Sequence, residues 1–332
     1  MKVKSLKTRK LTEAAMLSAL FVIVSLVAIS TGIMYSMYLD MIVPIFISIL
    51  YLRIGFKYTT LSSITSLLIV ALAIGDVPSA IWMSQGIILG LICGFFIDRK
   101  SAILDDVLWS SILGCFIVVL VDVYFSTLTG YSLVKEFDSV AVMFPMLSED
   151  ILKMTFYIFV ATVPVGTVLV VYIGTLFIGN KLNILNEATR EKYNILKNFR
   201  KLGSHLCCSR ETFVIEILYL LSIEIFTRLD LNINSTYTLT VLMSIRVVVL
   251  YFIIKDSYGF LSKYIYLKTK SRGITQMISF FILYCLLGNF YITTIILIVS
   301  SIAINLGLKL REKEMNIVNQ FIKINMKEIR PH

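Results

Sequence analysis

Long and nearly uncharged apolar runs recur along almost the whole chain, and they constrain its fold more than any other feature. Runs of about the length of a spanning helix lie at 12–31, 39–56, 59–75, 78–97, 107–127, 153–178, 212–228 and 237–254. A helix that crosses the hydrocarbon core of a bilayer needs about 20 mostly apolar residues. Charged residues make up only 16% of the chain, whereas about 25% is usual in soluble proteins. The sequence therefore predicts an all-α, polytopic transmembrane helical bundle in contact with the lipid bilayer.

The last apolar stretch, 274–307, is too long for one untilted span and just long enough for two. Gly288-Asn289, near its middle, is a turn signal. We divide the stretch at this dipeptide, which brings the total to about ten spans, within a range of 8–10.

Basic residues fall almost entirely between alternate apolar runs. If the N-terminus is cytoplasmic and the spans alternate, 27 of the 31 Lys and Arg residues lie on the cytoplasmic side. Lysine and arginine are enriched in the cytoplasmic loops of membrane proteins. We therefore expect a multi-pass protein of the cell membrane with both termini in the cytoplasm. A cleaved signal peptide ending near Ala28-Ile29-Ser30 is the alternative for the first run, but the length of that run favours a span.

A charged interval after residue 178 divides the chain. We expect a six-span module over 1–178, a basic amphipathic connector over 179–211, a four-span module over 212–308 and a basic amphipathic tail over 309–332. Apolar residues of the connector recur at helical spacing, and its basic residues occupy other positions. Such a pattern is typical of a helix that lies on an anionic membrane face, and an ordinary solvated connector fits it equally well.

Residue types that catalysis and metal binding need are scarce. The two histidines, His205 and His332, lie outside the predicted spans, and no phosphate-binding glycine loop or nucleophile elbow is present. His205 stands beside Cys207-Cys208, but no second ligand cluster accompanies them. We therefore predict no enzyme activity, no cofactor, no metal site and no nucleic-acid partner.

Small residues at four-residue spacing mark two helix faces. Gly86, Gly90 and Gly94 follow one face of the fourth predicted span, and Ala15 and Ala19 follow one face of the first. Small side chains let another helix approach closely, which drives helix association in lipid. These faces are expected to pack against helices of the same chain or to dock another membrane subunit.

Ionisable residues inside predicted spans point to sites, because they are costly there. Glu216 and Glu224 lie in the seventh span, Arg228 lies one turn after Glu224, and Arg246 lies in the eighth span. We expect this charge cluster to pair Glu224 with Arg228 and Glu216 with Arg246. A static ion pair and a substrate or proton-coupled site are both compatible with it. Asp122 has no partner nearby in sequence, so we expect it to bind a proton or a cation.

The segment Arg9–Leu20, RKLTEAAMLSAL, resembles the start of two related groups. One is the YybS-like family of bacterial membrane proteins, and the other is the substrate-binding S component of energy-coupling factor transporters. The resemblance continues through Pro44 and Gly55 to the glycines of the fourth span. S components end after six spans, whereas this chain continues, and its length is closer to the YybS-like group.

The resemblance implies roles for residues of the first six spans. In S components an alanine-x-x-x-alanine face on the first helix docks a coupling subunit that works with ATPases, which implies this role for Ala15 and Ala19. S components bind substrate near the outer side, and we expect the outer ends around Asp40, Asp76, Trp82, Gln85 and Asp122 to line any such pocket here.

We therefore expect an integral membrane protein that binds or transports a small solute without catalysing a reaction. The alternatives are a YybS-like scaffold or regulatory protein with no transported solute, and an ion- or proton-coupled carrier.

Overall fold

A computed structural model describes residues 2–32, 35–143, 146, 148–229 and 236–328. Throughout these ranges the chain is helical, with short connections and no strand. A short helical segment, Tyr35–Met37, and a π-helical turn, Tyr38–Ile42, lead into the second long helix. The longer helices are α1 Lys2–Thr31, α2 Val43–Ile54, α3 Phe56–Ile74, α4 Val77–Asp98, α5 Ile103–Thr129, α6 Leu133–Met143, α7 Glu149–Lys181, α8 Glu187–Lys197, α9 Arg210–Arg228, α10 Thr236–Thr269, α11 Arg272–Gly288, α12 Phe290–Leu308 and α13 Leu310–Glu328.

Eight helices in the described part of the chain are long and apolar enough to cross a membrane. They are Lys7–Thr31, Tyr35–Ile54, Phe56–Ile74, Val77–Asp98, Ile103–Thr129, Glu149–Lys181, Thr236–Thr269 and Phe290–Leu308. The predicted all-α, multi-pass character is confirmed by these helices.

Two of the ten predicted spans are not both long enough and apolar enough to be counted with these eight helices. Helix α9 carries five charged residues in its 19 positions, and α11 has only 17 residues. The break predicted at Gly288-Asn289 is present, because α11 ends at Gly288 and α12 begins at Phe290. Among the described helices the count is therefore eight, at the lower end of the predicted range.

The chain forms two compact units whose boundaries differ from the four predicted segments. Unit 1 comprises Met1–Ser101, Asp106–Tyr193 and Asn232–Ile245, and unit 2 comprises Ala102–Asp105, Asn194–Leu231 and Arg246–His332. The predicted connector is divided between the units, and so are α5 and α10.

In unit 1 the glycine face of α4 packs directly against α2 and the turn before it. A Cβ atom on Gly86 would lie 2.8 Å from the carbonyl oxygen of Leu39, and one on Gly90 would lie 2.6 Å from that of Pro44. On Gly94 a Cβ would lie 2.7 Å from the Cβ of Tyr51. No other residue type fits these contacts without moving a helix, because two of the close neighbours are backbone atoms.

We expect Gly90→Ala to destabilise the protein by about 1–3 kcal/mol, the usual effect of overpacking a tight contact. Gly166→Ala in α7 is the matched control, because a Cβ there has nothing within 4 Å, and alanine favours helix over glycine. Thermal unfolding of both variants in detergent tests this. Equal stability of the two variants would show that the α2–α4 contact can relax.

A buried ion pair fixes the first part of the connector to unit 1. The Nζ atom of Lys192 in α8 lies 2.7 Å from Oδ2 of Asp106 in α5, and the side chains are 4% and 0% exposed. The same amine donates to the carbonyl oxygens of Phe96 and Ile97 at the end of α4. Burial lowers the pKa of Lys192, and the carboxylate of Asp106 opposes this effect.

The apolar face of the predicted connector helix is buried within the protein. Leu185, Ala188, Ile195 and Leu202 are all less than 9% exposed, and Phe199 is the exception at 57%. The interpretation of this face as one that lies on lipid is therefore wrong. The sequence pattern shows only that one face must be covered, and here protein covers it.

The tail helix α13, predicted as amphipathic through Met315, Val318, Ile322 and Ile329, also has part of its apolar face covered by protein. Val318 and Ile322 are buried, whereas Met315 is 37% exposed, and Ile329 lies outside the described residues. Arg311 and Glu314 are also buried, which places charged side chains of the tail inside unit 2.

Replacing Lys192 by Met is expected to destabilise the protein by about 3–5 kcal/mol, because Asp106 then remains buried without a counter-charge. Lys197→Met, on the exposed side of the same helix, is expected to have little effect. The double variant Lys192→Met/Asp106→Asn should recover part of the loss. Thermal unfolding of the four proteins tests this, and equal stability of the two single variants would contradict it.

Candidate functional site

A cavity of about 590 Å³ lies within unit 1. It is bordered by the segment before α2, by α4, α5 and α7, and by the connection between α5 and α6. Its walls are mainly apolar, and its lining includes Tyr35, Ser36, Asp40, Trp82, Gln85, Tyr131 and Thr167. Three of the five predicted substrate residues, Asp40, Trp82 and Gln85, therefore share one cavity.

The π-helical turn brings Asp40 to the cavity, and Pro44 explains why the turn forms there. Proline has no backbone N–H, so Pro44 cannot donate the usual hydrogen bond to the carbonyl group of Asp40, four residues earlier. The chain instead closes a wider turn, in which the N–H of Val43 donates to the carbonyl oxygen of Tyr38, five residues earlier. Single π turns inside helices are frequent at functional sites.

Asp40 supplies the only carboxylate among the described residues of the lining, which includes no Lys, Arg or His. Ser36 Oγ donates to Asp40 Oδ2 at 3.5 Å. The rings of Trp82 and Tyr131 meet edge to face, with centroids 5.7 Å apart, and Gln85 adds an amide. Such a lining accepts hydrogen bonds and attracts positive charge, because aromatic faces and a carboxylate both favour a cation.

The other two predicted substrate residues do not line the cavity. Asp76 precedes α4 and accepts a hydrogen bond from Ser79 Oγ. Asp122 Oδ1 accepts a hydrogen bond from the backbone N–H of Leu133 at 2.7 Å, and Ser132 Oγ donates to its other oxygen. Both carboxylates sit at helix N-termini, where the partial positive charge of the helix favours an anion.

Asp122 is therefore not the unpaired carboxylate that the sequence suggested. Its partners come from residues ten and eleven positions later in the chain, beyond the spacing that a helical pattern can reveal. Because Leu133 itself lines the cavity, Asp122 positions one wall of the cavity without facing into it.

The two predicted docking residues on the alanine face of α1 are exposed in the structure. Ala15 and Ala19 are exposed, whereas the neighbouring Ala14 and Ser18 are buried. Ser18 Oγ donates to the carbonyl oxygen of Ser62 in α3 at 3.1 Å. Helix α1 therefore packs on α3 through Ala14 and Ser18 and leaves the face with Ala15 and Ala19 open.

The predicted charge cluster lies in unit 2, and of its two predicted pairs only Glu224 with Arg228 is present. Glu224 binds both arginines, since Arg228 Nε is 3.1 Å from Oε1 and Arg246 Nη2 is 3.3 Å from Oε2. The guanidinium of Arg246 also lies over the ring of Tyr291, 5.8 Å from its centroid. The predicted pair of Glu216 with Arg246 is therefore wrong, because Glu224 is the carboxylate within reach of both arginines.

These three charged residues border a second cavity, of about 710 Å³, in unit 2. The remaining walls come mainly from leucine, isoleucine and valine side chains of α9, α10 and α12.

Three buried charged residues of unit 2, Asp105, Asp256 and Arg311, and the partly exposed Lys255 surround the chain segment before α9, and the sequence did not point to any of them. Asp105 Oδ1 accepts from the N–H of Ser209 at 2.9 Å, and Asp256 Oδ2 accepts from that of Cys208 at 2.9 Å. Arg311 Nη1 donates to the carbonyl oxygen of Ser209 at 3.2 Å and lies 3.5 Å from Asp256. Lys255 Nζ donates to Asp256 Oδ1.

His205 contributes to the same end of unit 2 through a hydrogen bond between its Nδ1 atom and Glu314 of α13, which also binds Lys263 at 2.7 Å. Within the described ranges, no group of three or more His, Cys, Asp or Glu side chains has an arrangement that would hold a metal ion. Burial raises the pKa of the Cys207 thiol to about 12, which keeps it protonated.

No protein-family model, no curated protein and no solved structure matches this chain. The relationship to the YybS-like family and to S components therefore stays a prediction from the sequence.

Proposed function

We propose that unit 1 binds a small, positively charged solute in its 590 Å³ cavity and that the protein serves as a non-catalytic solute-binding component of a membrane transporter. The observation that carries the proposal is the meeting of Asp40, Trp82 and Gln85 in one cavity. These residues belong to two helical segments that are separated in the sequence by about forty positions. A cavity of this volume is within the range of small-molecule sites, which is about 300–1,000 Å³.

The proposed positive charge follows from the lining. A negatively charged solute would place its charge near Asp40 with no basic side chain in the described lining to offset it. A cation gains the carboxylate of Asp40 and the aromatic rings of Trp82 and Tyr131. Gln85 offers an amide for a polar group, and the apolar side chains of α5 and α7 suit an apolar or aromatic body.

Asp40→Asn is expected to weaken binding of a cationic solute at least tenfold, because it removes the one formal negative charge of the described lining. The measurement is thermal stabilisation of the purified protein by a panel of small primary amines and cationic heterocycles, followed by binding isotherms for those that stabilise it. Neutral analogues of the same shape should bind Asp40→Asn and wild type alike.

Glu149→Gln is the matched control, because Glu149 is 80% exposed and pairs only with Lys153 among the described residues. Equal affinity loss in Asp40→Asn and Glu149→Gln would indicate general attraction by negative surface charge. Stabilisation by anions alone, with wild-type affinity in Asp40→Asn, would contradict the proposed solute class.

A second part of the proposal concerns the open face of α1. S components dock their coupling subunit through such a face, and Ala15 and Ala19 are exposed here while the rest of the small-residue face is packed. We propose that a coupling subunit with its ATPases covers Ala15 and Ala19. A scaffold without a solute is the competing account, and it predicts no ATPase partner.

Purification from the native host in mild detergent, with mass spectrometry of co-purifying proteins, is expected to recover transporter ATPases and their coupling subunit. Ala15→Trp/Ala19→Trp should lose them, because two indoles prevent close approach of another helix. The control is Leu68→Trp/Leu72→Trp on α3, where both leucines are exposed. Loss in both variants would indicate nonspecific damage, and absence of ATPases from wild type would favour the scaffold.

A further inference from the structure

Glu216 is a buried carboxylate of unit 2 that belongs to none of the ion pairs described above. It lies in α9 and is only 2% exposed. Neither Oε1 nor Oε2 has a hydrogen-bond partner in the described parts of the chain. An ionised carboxylate buried in this way lacks water and has only the weak thiol donor of Cys208 beside it, and such groups are usually neutralised by a proton.

The groups around Glu216 increase the cost of a negative charge there. Its electrostatic neighbours are Asp256, Arg311 and Asp105, and the thiol of Cys208 lies beside it. Both aspartates already accept hydrogen bonds from backbone N–H groups. Arg311 is held through its Nη1 atom by Asp256 and by a backbone carbonyl oxygen, and it makes no hydrogen bond to Glu216 among the described residues.

A charge count leads to the same conclusion. Counted as formal charges, Asp105 and Asp256 contribute two negative charges and Arg311 and Lys255 two positive charges, so the four groups balance. An ionised Glu216 would add one uncompensated negative charge inside unit 2. A protonated Glu216 adds none.

We propose that Glu216 is a proton-binding site of unit 2 and is occupied by a proton in this conformation. The ionised form needs a donor, and Arg311 offers one, because its Nη2 atom is buried and has no partner in the described residues. A shift of α13, which carries Arg311, toward Glu216 would supply that donor and release the proton. Proton binding is thereby linked to the position of the tail helix, independently of solute binding in unit 1.

The pH dependence of stability tests the proposal. In the unfolded chain a glutamate releases its proton near pH 4.3, whereas the folded protein keeps the proton on Glu216. The unfolded state therefore binds fewer protons above that pH, and stability is lost as the pH rises. Glu216→Gln and Glu216→Met carry no proton to release, so both should unfold at or above the wild-type temperature at pH 7.5. This advantage should shrink toward pH 4.5.

Glu224→Gln is the matched control, since the same substitution in the same helix removes a carboxylate that binds two arginines. It should lower the unfolding temperature at pH 7.5. Infrared difference spectra of wild type against Glu216→Gln give a direct readout, and we expect the loss of a protonated carboxyl band at pH 7.5. Loss of a carboxylate band, or destabilisation of both Glu216 variants as large as that of Glu224→Gln, would overturn the proposal.

Discussion

A charged amine can be buried inside a helical bundle only if acceptors surround it, and Lys192 is where unit 1 meets that condition. Its Nζ atom contacts the carboxylate of Asp106 and three backbone carbonyl groups between residues 96 and 99. Asp106 in turn accepts from Tyr172 Oη at 2.7 Å. The ammonium group of Lys192 in α8 thus joins the end of α4 to the start of α5, and Asp106 extends this connection to Tyr172 in α7.

This anchor lies at one end of α4, and the candidate site lies at the other. Gln85 and Phe96 are separated by eleven residues, or about 17 Å along a helix. Between them the glycines of α4 hold α2 in close contact. Gly86 touches the backbone at Leu39, the residue before Asp40, so the glycine face sets the position of the carboxylate as well as the packing of two helices. The cavity is therefore supported by rigid elements, which favours a preformed binding site.

The parts of the structure that were predictable from the sequence are those with local causes. Apolar runs indicate spanning helices because a bilayer imposes length and composition on every segment separately, and the break at Gly288-Asn289 likewise depends on two adjacent residues. Asp40, Trp82 and Gln85 were predicted through the resemblance to S components. The pair of Glu224 with Arg228, one helical turn apart, was predicted. The partners of Asp122 and the bond of Glu224 to Arg246 were not predicted, since contacts across loops and between helices depend on helix rotations that a periodic pattern does not record. The lipid-facing interpretation of the connector was wrong for a related reason. An amphipathic pattern shows that one face of a helix is covered, but either protein or lipid can cover that face.

Glu216 and Glu224 lie in the same helix but have very different environments. Eight residues apart in α9, they lie about 12 Å apart along the helix axis. Glu224 is 45% exposed and binds two arginines, whereas Glu216 is enclosed with two aspartates whose donors are already in place. An ion pair at Glu224 stabilises one arrangement of α9 and α10, because separating the charges leaves each without its partner. Glu216 imposes no such condition. Its protonated form is compatible with the present position of Arg311, and its ionised form is compatible with a position of Arg311 closer to the carboxylate. Of the two carboxylates, Glu216 is therefore the one whose charge can change with conformation. Glu224 keeps α9 and α10 together while the charge of Glu216 changes.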